Sequence, residues 1–109
     1  MTKHFRLCID YRRLNALNIR DSYPLPRMDE CIDSLGDAQF FSTLDCNSGY
    51  WQIPVDPADR AKTTFTSHEG LYWFRRMPFG LRNAPATLQR FVDITLAGLT
   101  CKSCLVYLD

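Results

Sequence analysis

Two aspartates stand at the ends of segments whose composition is typical of β-strands. The segment AQFFSTLD ends at Asp45, and the segment CLVYLD ends at Asp109. If the two strands are neighbours in one sheet, the two carboxylates converge, and paired carboxylates attract hard cations such as Mg²⁺. Two such ions about 3.5–4 Å apart can activate an attacking oxygen and stabilise a leaving one. The pattern therefore indicates metal-dependent chemistry.

The cysteines offer a second chemistry. Cys101 and Cys104 have the C-x-x-C spacing of a zinc or redox site, but no second pair follows and the motif leads into a predicted strand instead of opening a helix. We interpret the cysteines as small apolar residues. Their odd count of five, without a secretory signal, predicts reduced thiols in an intracellular, soluble protein.

Charge is distributed unevenly along the chain. Residues 1–27 carry six basic and two acidic side chains, residues 28–69 carry two and eight, and residues 70–109 carry five and two. An acidic middle thus lies between two basic ends. The pattern fits either solvated faces or a phosphate-contacting surface around an acidic, metal-seeking centre.

The elements that would position these residues are short, and 109 residues predict one domain with one core. Residues 6–11 alternate apolar and polar side chains, which predicts a half-exposed strand. A short amphipathic helix should start at Pro26 and stop at Gly36, and a longer one should run from Asn83 to Gly98. The runs TTFTS and LYWFR, joined by HEG, predict a hairpin.

Strands mixed with segregated helices predict an α+β fold. We expect a mainly antiparallel sheet with helices packed on one face, because hairpins replace regular βαβ repeats. No window approaches the ~20 apolar residues that span a bilayer, so no membrane partner is expected.

Four blocks of the sequence carry a family resemblance. They are FRLCIDYRRLN with YPLPRMD, FFSTLDCNSGYWQIPV, FRRMPFGLRNAPATLQRFVD and the final VYLD. In this order and spacing they resemble the reverse transcriptase domain of gypsy-type long-terminal-repeat retrotransposons. The resemblance covers nearly the whole chain and implies a partial fingers and palm fold. Residues 1–40 would form part of the fingers with a connecting helix, and residues 41–109 part of the palm, truncated at both ends.

The resemblance implies roles for the two aspartates and for the segment after Asp45. Asp45 and Asp109 match two of the family's catalytic metal ligands, which would hold two Mg²⁺ ions, with Mn²⁺ as a substitute. Tyr50 matches the aromatic residue that closes the sugar pocket against a 2′-hydroxyl. Ser48 and Gly49 would offer backbone N–H groups to the triphosphate. The alternatives are a strand-end aspartate that caps a turn and a core aromatic at Tyr50.

Further residues match the family's nucleotide and template contacts. Arg6 corresponds to an arginine on the incoming triphosphate, and otherwise would be an exposed strand arginine. Phe79 and Gly80 match residues under the new base pair, where Gly80 allows close backbone approach. Gln89 resembles a residue near the template, or else is a surface glutamine. Candidate phosphate contacts are Arg12, Arg82 and Arg90.

The function implied is RNA-directed DNA polymerisation. The partners would be an RNA or DNA template-primer, deoxynucleoside triphosphates and the rest of a Pol polyprotein, with its thumb, RNase H and integrase. The resemblance implies that the protein is located either in the cytoplasm, within a virus-like particle, or in the nucleus. The family's third carboxylate and first fingers strand have no counterpart here, so we expect this chain alone to be inactive.

The sequence suggests two alternative functions. One is a non-catalytic retroelement remnant that at most binds nucleic acid or a partner chain through its basic ends. The other is an aspartic protease, but that enzyme needs an Asp-Ser/Thr-Gly turn, and the run from Asp45 to Gly49 has the wrong spacing.

Overall fold

The computed structural model describes residues 5–36, 38–100 and 102–108. Short helices make up most of the regular structure. In chain order the elements are helix α1 (Arg12–Leu17), helix α2 (Met28–Asp33), two 3-10 helices (Gly49–Gln52 and Arg60–Thr63), strand β1 (Phe65–Ser67), strand β2 (Gly70–Tyr72) and helix α3 (Ala84–Thr95). In this described part, no helix is long and apolar enough to cross a membrane.

The chain divides into two compact units instead of the single core that its length predicts. The first unit joins the residues up to Arg20 with Ser48–Ala84, and the second joins Asp21–Asn47 with the residues from Pro85 onward. Few described apolar side chains are buried, among them Tyr11 and Met77 in the first unit and Ala86 in the second. Each unit therefore has only a small core.

The predicted hairpin is confirmed in the first unit. Strands β1 and β2 pair antiparallel, with Phe65 opposite Tyr72 and Ser67 opposite Gly70, so that two residues form the turn. The Phe65 ring stacks on Tyr72 at 5.8 Å and contacts Phe74 at 5.4 Å between ring centroids. Such cross-strand aromatic pairs stabilise a hairpin.

The buried Tyr11 connects the start of the chain to this hairpin. Its hydroxyl donates a hydrogen bond to the carbonyl of Thr63 at 2.8 Å. The Thr63 hydroxyl in turn accepts one from the backbone N–H of Phe74 at 2.9 Å. The same burial raises the pKa of Tyr11, because its ionised form would lose hydration. The residue thus stays a neutral donor.

Both helices predicted from the sequence, from Pro26 to Gly36 and from Asn83 to Gly98, are confirmed with shifted ends. Helix α2 begins at Met28, two residues after Pro26, and Gly36 adopts a φ of 50° beyond its end. Helix α3 begins at Ala84 with Pro85 in its first turn and ends at Thr95, and Gly98 follows with a φ of 84°. Left-handed glycines are common just past helix ends.

Helix α1 was not predicted. Three of the predicted strands are also absent from the described residues, so those predictions are wrong. Residues 6–11, 38–45 and 104–108 are not strands there; the last segment has only an isolated bridge from Thr100 to Cys104. A strand needs a neighbour to pair its backbone N–H and C=O groups, and no described segment pairs with these as a strand. The sheet is therefore two-stranded and antiparallel, which is compatible with the predicted α+β class.

Candidate functional site

The Phe79 ring collects three side chains in the first unit. The guanidinium carbon of Arg6 lies 4.5 Å from the ring centroid. Tyr50 and Trp51 meet the ring edge-on, with centroids at 5.4 and 5.7 Å. A cation over the ring face and aromatic groups at angled contact are both attracted by the ring quadrupole. The fold thus joins Arg6, Tyr50 and Phe79, which the sequence placed in three separate blocks.

Gly80 brings backbone into this cluster. Its φ of 91° is one that side chains with a Cβ rarely adopt, and a Cβ there would lie 3.5 Å from the carbonyl oxygen of Ile9. The space would accommodate that atom, so the backbone conformation is what requires glycine. The close approach of Gly80 to a base pair stays a prediction, and its nearest backbone neighbour in the structure is the carbonyl of Ile9.

Asn15 fixes the loop that carries Phe79 and Gly80. Its Nδ2 donates to the carbonyl of Gly80 at 2.8 Å, and its Oδ1 accepts from the backbone N–H of Arg82 at 2.8 Å. One amide thus binds helix α1 to both sides of the loop. Sequence reasoning missed Asn15, and the available signal was an amide side chain inside the motif RRLN.

A tight turn presents Tyr50 to the cluster. Ser48 has a left-handed backbone with φ 51°, and its carbonyl accepts a hydrogen bond from the N–H of Trp51 at 2.9 Å. Gly49 begins the 3-10 helix that contains both aromatic residues. Partial burial raises the pKa of Tyr50, so its hydroxyl stays protonated at neutral pH.

Two of the predicted phosphate contacts in the first unit are already paired. Arg12 makes a forked contact with Asp10, with Nε to Oδ1 at 2.9 Å and Nη2 to Oδ2 at 2.6 Å. These hydrogen bonds hold the pKa of Asp10 at about 2, although both side chains are exposed. Arg82 donates from its backbone and from Nη1 to Asn15. By contrast, no described group accepts a hydrogen bond from the Arg6 guanidinium.

The other two predicted template contacts belong to the second unit. Gln89 is only 3% exposed, so the surface-glutamine alternative is wrong. Its Nε2 donates to Asp93 Oδ1 at 2.8 Å, and the hydroxyl of Tyr23 donates to Asp93 Oδ2 at 2.7 Å. That hydrogen bond raises the pKa of Tyr23. Arg90 pairs with Asp21 at 2.8 Å and lies 4.7 Å over the Tyr23 ring.

The predicted metal ligands are only partly visible. Asp45 is exposed in a segment of the second unit without regular secondary structure. Asp109 and Cys101 lie outside the described residues. Cys104 is a free thiol. The residues that the structure describes contain no group of three or more His, Cys, Asp or Glu side chains that could hold a metal ion. The carboxylate of Asp45 is nonetheless the donor type that Mg²⁺ prefers.

Comparison with known proteins shows the family of the chain. The family model for "Reverse transcriptase (RNA-dependent DNA polymerase)" matches residues 2–109. The chain belongs to the reverse transcriptase family. Its similarity to gypsy-type Pol polyproteins, expected from the four sequence blocks, is confirmed by the relatives described next.

Relatives occur in transposons and in a plant. The chain is 50% identical over 105 residues to the retrovirus-related Pol polyprotein from transposon 297 of Drosophila melanogaster, covering 96% of this chain and 10% of the relative. It is 48% identical to the retrovirus-related Pol polyprotein from transposon gypsy of the same organism, and the match covers 95% of this chain and 10% of that relative. An RNA-directed DNA polymerase homolog of Oenothera berteroana is 43% identical over 95% of this chain and 73% of its own length. The chain therefore spans about a tenth of these transposon relatives.

Proposed function

We propose that this chain forms the nucleotide-binding part of an RNA-directed DNA polymerase, which extends a primer 3′-hydroxyl with deoxynucleoside triphosphates. The observation that carries the proposal is the cluster of Arg6, Tyr50 and Phe79, with Gly80 beside them. Sequence segments far apart in the chain converge on one aromatic ring. The flat ring of Phe79 suits a base, the cation of Arg6 suits a triphosphate, and the partly buried side chain of Tyr50 suits a sugar.

Each residue of the cluster has a proposed role. Arg6 binds the triphosphate, because its guanidinium has no described hydrogen-bond acceptor and forked donors suit phosphate oxygens. Phe79 supports the new base pair, and Gly80 lets the backbone approach it. Tyr50 excludes a 2′-hydroxyl, the group that distinguishes ribonucleotides. Ser48 and Gly49 form a turn whose N–H groups would assist at the phosphates.

The metal ligands of the proposal are Asp45 and Asp109, which would hold two Mg²⁺ ions or, in their place, Mn²⁺. Bound ions of this kind neutralise developing charge in phosphoryl transfer. The proposal assigns residues 1–40 to a fingers part and residues 41–109 to a palm part.

The template-primer would lie against the basic side chains already described. Arg12, Arg82 and Arg90 are proposed phosphate contacts, each of which would exchange a protein acceptor for a phosphate. Gln89 is buried, so its proposed role is to support helix α3 near the template instead of contacting it. Other domains of a Pol polyprotein, including thumb, RNase H and integrase, are the proposed covalent partners.

Nucleotide binding can be tested with the fluorescence of Trp51, whose ring contacts Phe79. In a Trp73→Phe background, titration of dATP with Mg²⁺ should change this signal with saturation. Arg6→Ala should weaken binding by about tenfold or more, since a hydrogen bond to a charged group contributes about 1.5–3 kcal/mol. Arg13→Ala, which removes an exposed arginine outside the cluster, is the matched control.

Equal effects of the two arginine substitutions would contradict the proposed site. A primer-extension assay with Mg²⁺ then separates the polymerase from a non-catalytic remnant. Incorporation by the 109-residue chain would show polymerisation directly. Saturable nucleotide binding without incorporation would limit this chain to the binding step.

A further inference from the structure

A cavity of about 240 Å³ lies within the second unit and is lined by none of the residues of the cluster around Phe79. Its apolar walls come from Pro24, Leu25, Leu105 and Val106. The volume is below the ~300–1,000 Å³ of pockets for drug-sized ligands. The cavity thus fits one side chain or a fragment of similar size.

Gln89 is one of the residues that line this cavity, and its side chain carries a buried, unsatisfied acceptor. The residue is 3% exposed, and its Oε1 has no hydrogen-bond partner among the described residues. The amide cannot simply be turned around, because Nε2 donates to the carboxylate of Asp93, which accepts but does not donate when ionised. A buried acceptor without a partner is unfavourable, so the site favours a ligand that donates a hydrogen bond.

The charge of the lining specifies the ligand further. Asp93 and Glu30 both line the cavity, and no lysine, arginine or histidine is among the described residues of its lining. Within the described residues, neither carboxylate takes part in an ion pair. Asp93 has two neutral donors, Gln89 Nε2 and the Tyr23 hydroxyl. Acceptors and negative charge therefore surround an apolar space.

We propose that this cavity binds a guanidinium group carried on an aliphatic chain, the chemistry of an arginine side chain. The apolar stem would pack against the proline, leucine and valine walls, and the cation would donate to Gln89 Oε1 beside the two carboxylates. Guanidinium fits better than ammonium because it is planar, carries several donors and is more weakly hydrated.

The experiment uses the ¹⁵N-labelled 109-residue chain and follows the side-chain amide of Gln89 and the backbone amides of Leu105 and Val106 by NMR. The probe is the capped tripeptide Gly-Arg-Gly. The neutral analogue with citrulline and the apolar analogue with norleucine are the matched comparisons. Agmatine, which has the same cation without a peptide backbone, distinguishes a free small cation from a side chain.

The arginine peptide should bind with saturation and at least tenfold more tightly than the citrulline peptide, the scale of one hydrogen bond to a charged group. Gln89→Leu should weaken binding by about tenfold for the same reason. Glu30→Gln changes an exposed residue, so the fold should be kept, and it should weaken binding of the arginine peptide severalfold. Gln39→Leu, the same change outside the cavity, should leave binding unchanged.

Three results would overturn the proposal. The first is the absence of saturable shifts at millimolar peptide. The second is equal binding of the citrulline or norleucine peptide, which would mean that charge is not recognised. The third is unchanged binding in both Gln89→Leu and Glu30→Gln. Agmatine binding as tightly as the peptide would support the site and assign it to a free cation, and weaker agmatine binding would support a polypeptide source.

Discussion

At the scale of single residues, Arg6 differs from the other arginines assigned to nucleic acid or nucleotide. Arg12, Arg82 and Arg90 all donate hydrogen bonds to protein acceptors. The described residues offer no acceptor to Arg6, whose guanidinium lies over the face of Phe79. A cation–π contact of this kind is worth about 0.5–1 kcal/mol at an exposed site, so it orients the side chain without committing its donors. An incoming triphosphate would therefore displace no protein acceptor.

Tyr50 gives the first prediction at this scale. Tyr50→Ala should reduce the preference for dATP over ATP to near unity, because the ring that would meet a 2′-hydroxyl is gone. The measurement is the pair of dissociation constants from Trp51 fluorescence. Trp51 itself cannot be the control, so Tyr72→Ala, an exposed aromatic on strand β2, serves instead. A preference for dATP that persists in Tyr50→Ala would contradict the proposed role of Tyr50 in excluding a 2′-hydroxyl.

Asp10 gives the second prediction at this scale, a pH dependence of the stability that its pair with Arg12 contributes. The Arg12 hydrogen bonds lower its pKa from 3.8 to about 2, so the stability from this pair is present above pH 3.8 and is lost as the pH falls through 2. A carboxyl ¹³C titration should show the low pKa, and Arg12→Gln should return it towards 3.8. Both groups are exposed, so the change in unfolding free energy should be small. An unshifted titration of Asp10 in the wild-type chain would contradict the pairing.

At the scale of elements, Asn15 connects helix α1 to the loop that carries Phe79 and Gly80. Asn15→Ala removes one hydrogen bond on each side of that loop and should lower the free energy of unfolding by about 1–3 kcal/mol. Chemical denaturation measures the loss. Asn18→Ala, at the end of the same helix, is the matched control and should cost less. Equal costs would mean that the loop does not depend on the Asn15 amide.

The elements also show what the sequence can predict. The hairpin and helices α2 and α3 follow from local signals: turn residues, a proline near the start and a glycine past the end. The strands expected at 6–11, 38–45 and 104–108 depend on distant partners, which composition does not reveal. The same holds for the site. The family resemblance indicates Arg6, Tyr50, Phe79 and Gly80 as candidates, whereas Asn15 acts on residues 65 and 67 positions away, which no local pattern reveals.

At the scale of the whole molecule, many large apolar side chains remain exposed. The segment 38–45 of the second unit, which has no regular secondary structure, is the clearest case, with Phe40 at 93% and Leu44 at 94% exposure. An apolar segment without a strand partner is a site for self-association. The composition of this segment predicts a strand, whereas the structure forms none there.

We expect the 109-residue chain to self-associate as its concentration rises, mainly through this segment. The double variant Phe40→Ser, Leu44→Ser should shift sedimentation velocity profiles towards monomer. Phe5→Ser, which removes an equally exposed ring from the first unit, is the control. If that control reduces association as much as the double variant, the segment is not the principal contact.

The division into two interleaved units also has a consequence during synthesis. Tyr11 donates to the carbonyl of Thr63, 52 residues later, and the first unit resumes only at Ser48 after an insertion that belongs to the second. At ~5–20 residues per second, a ribosome needs about 3–10 s to make the partner of Tyr11. Until Ser48 is made, the nascent amino-terminal segment lacks every later residue of its own unit, and the acceptor of Tyr11 follows only at Thr63. Translation speed between codons 11 and 63 should thus influence how much of the chain is captured by chaperones.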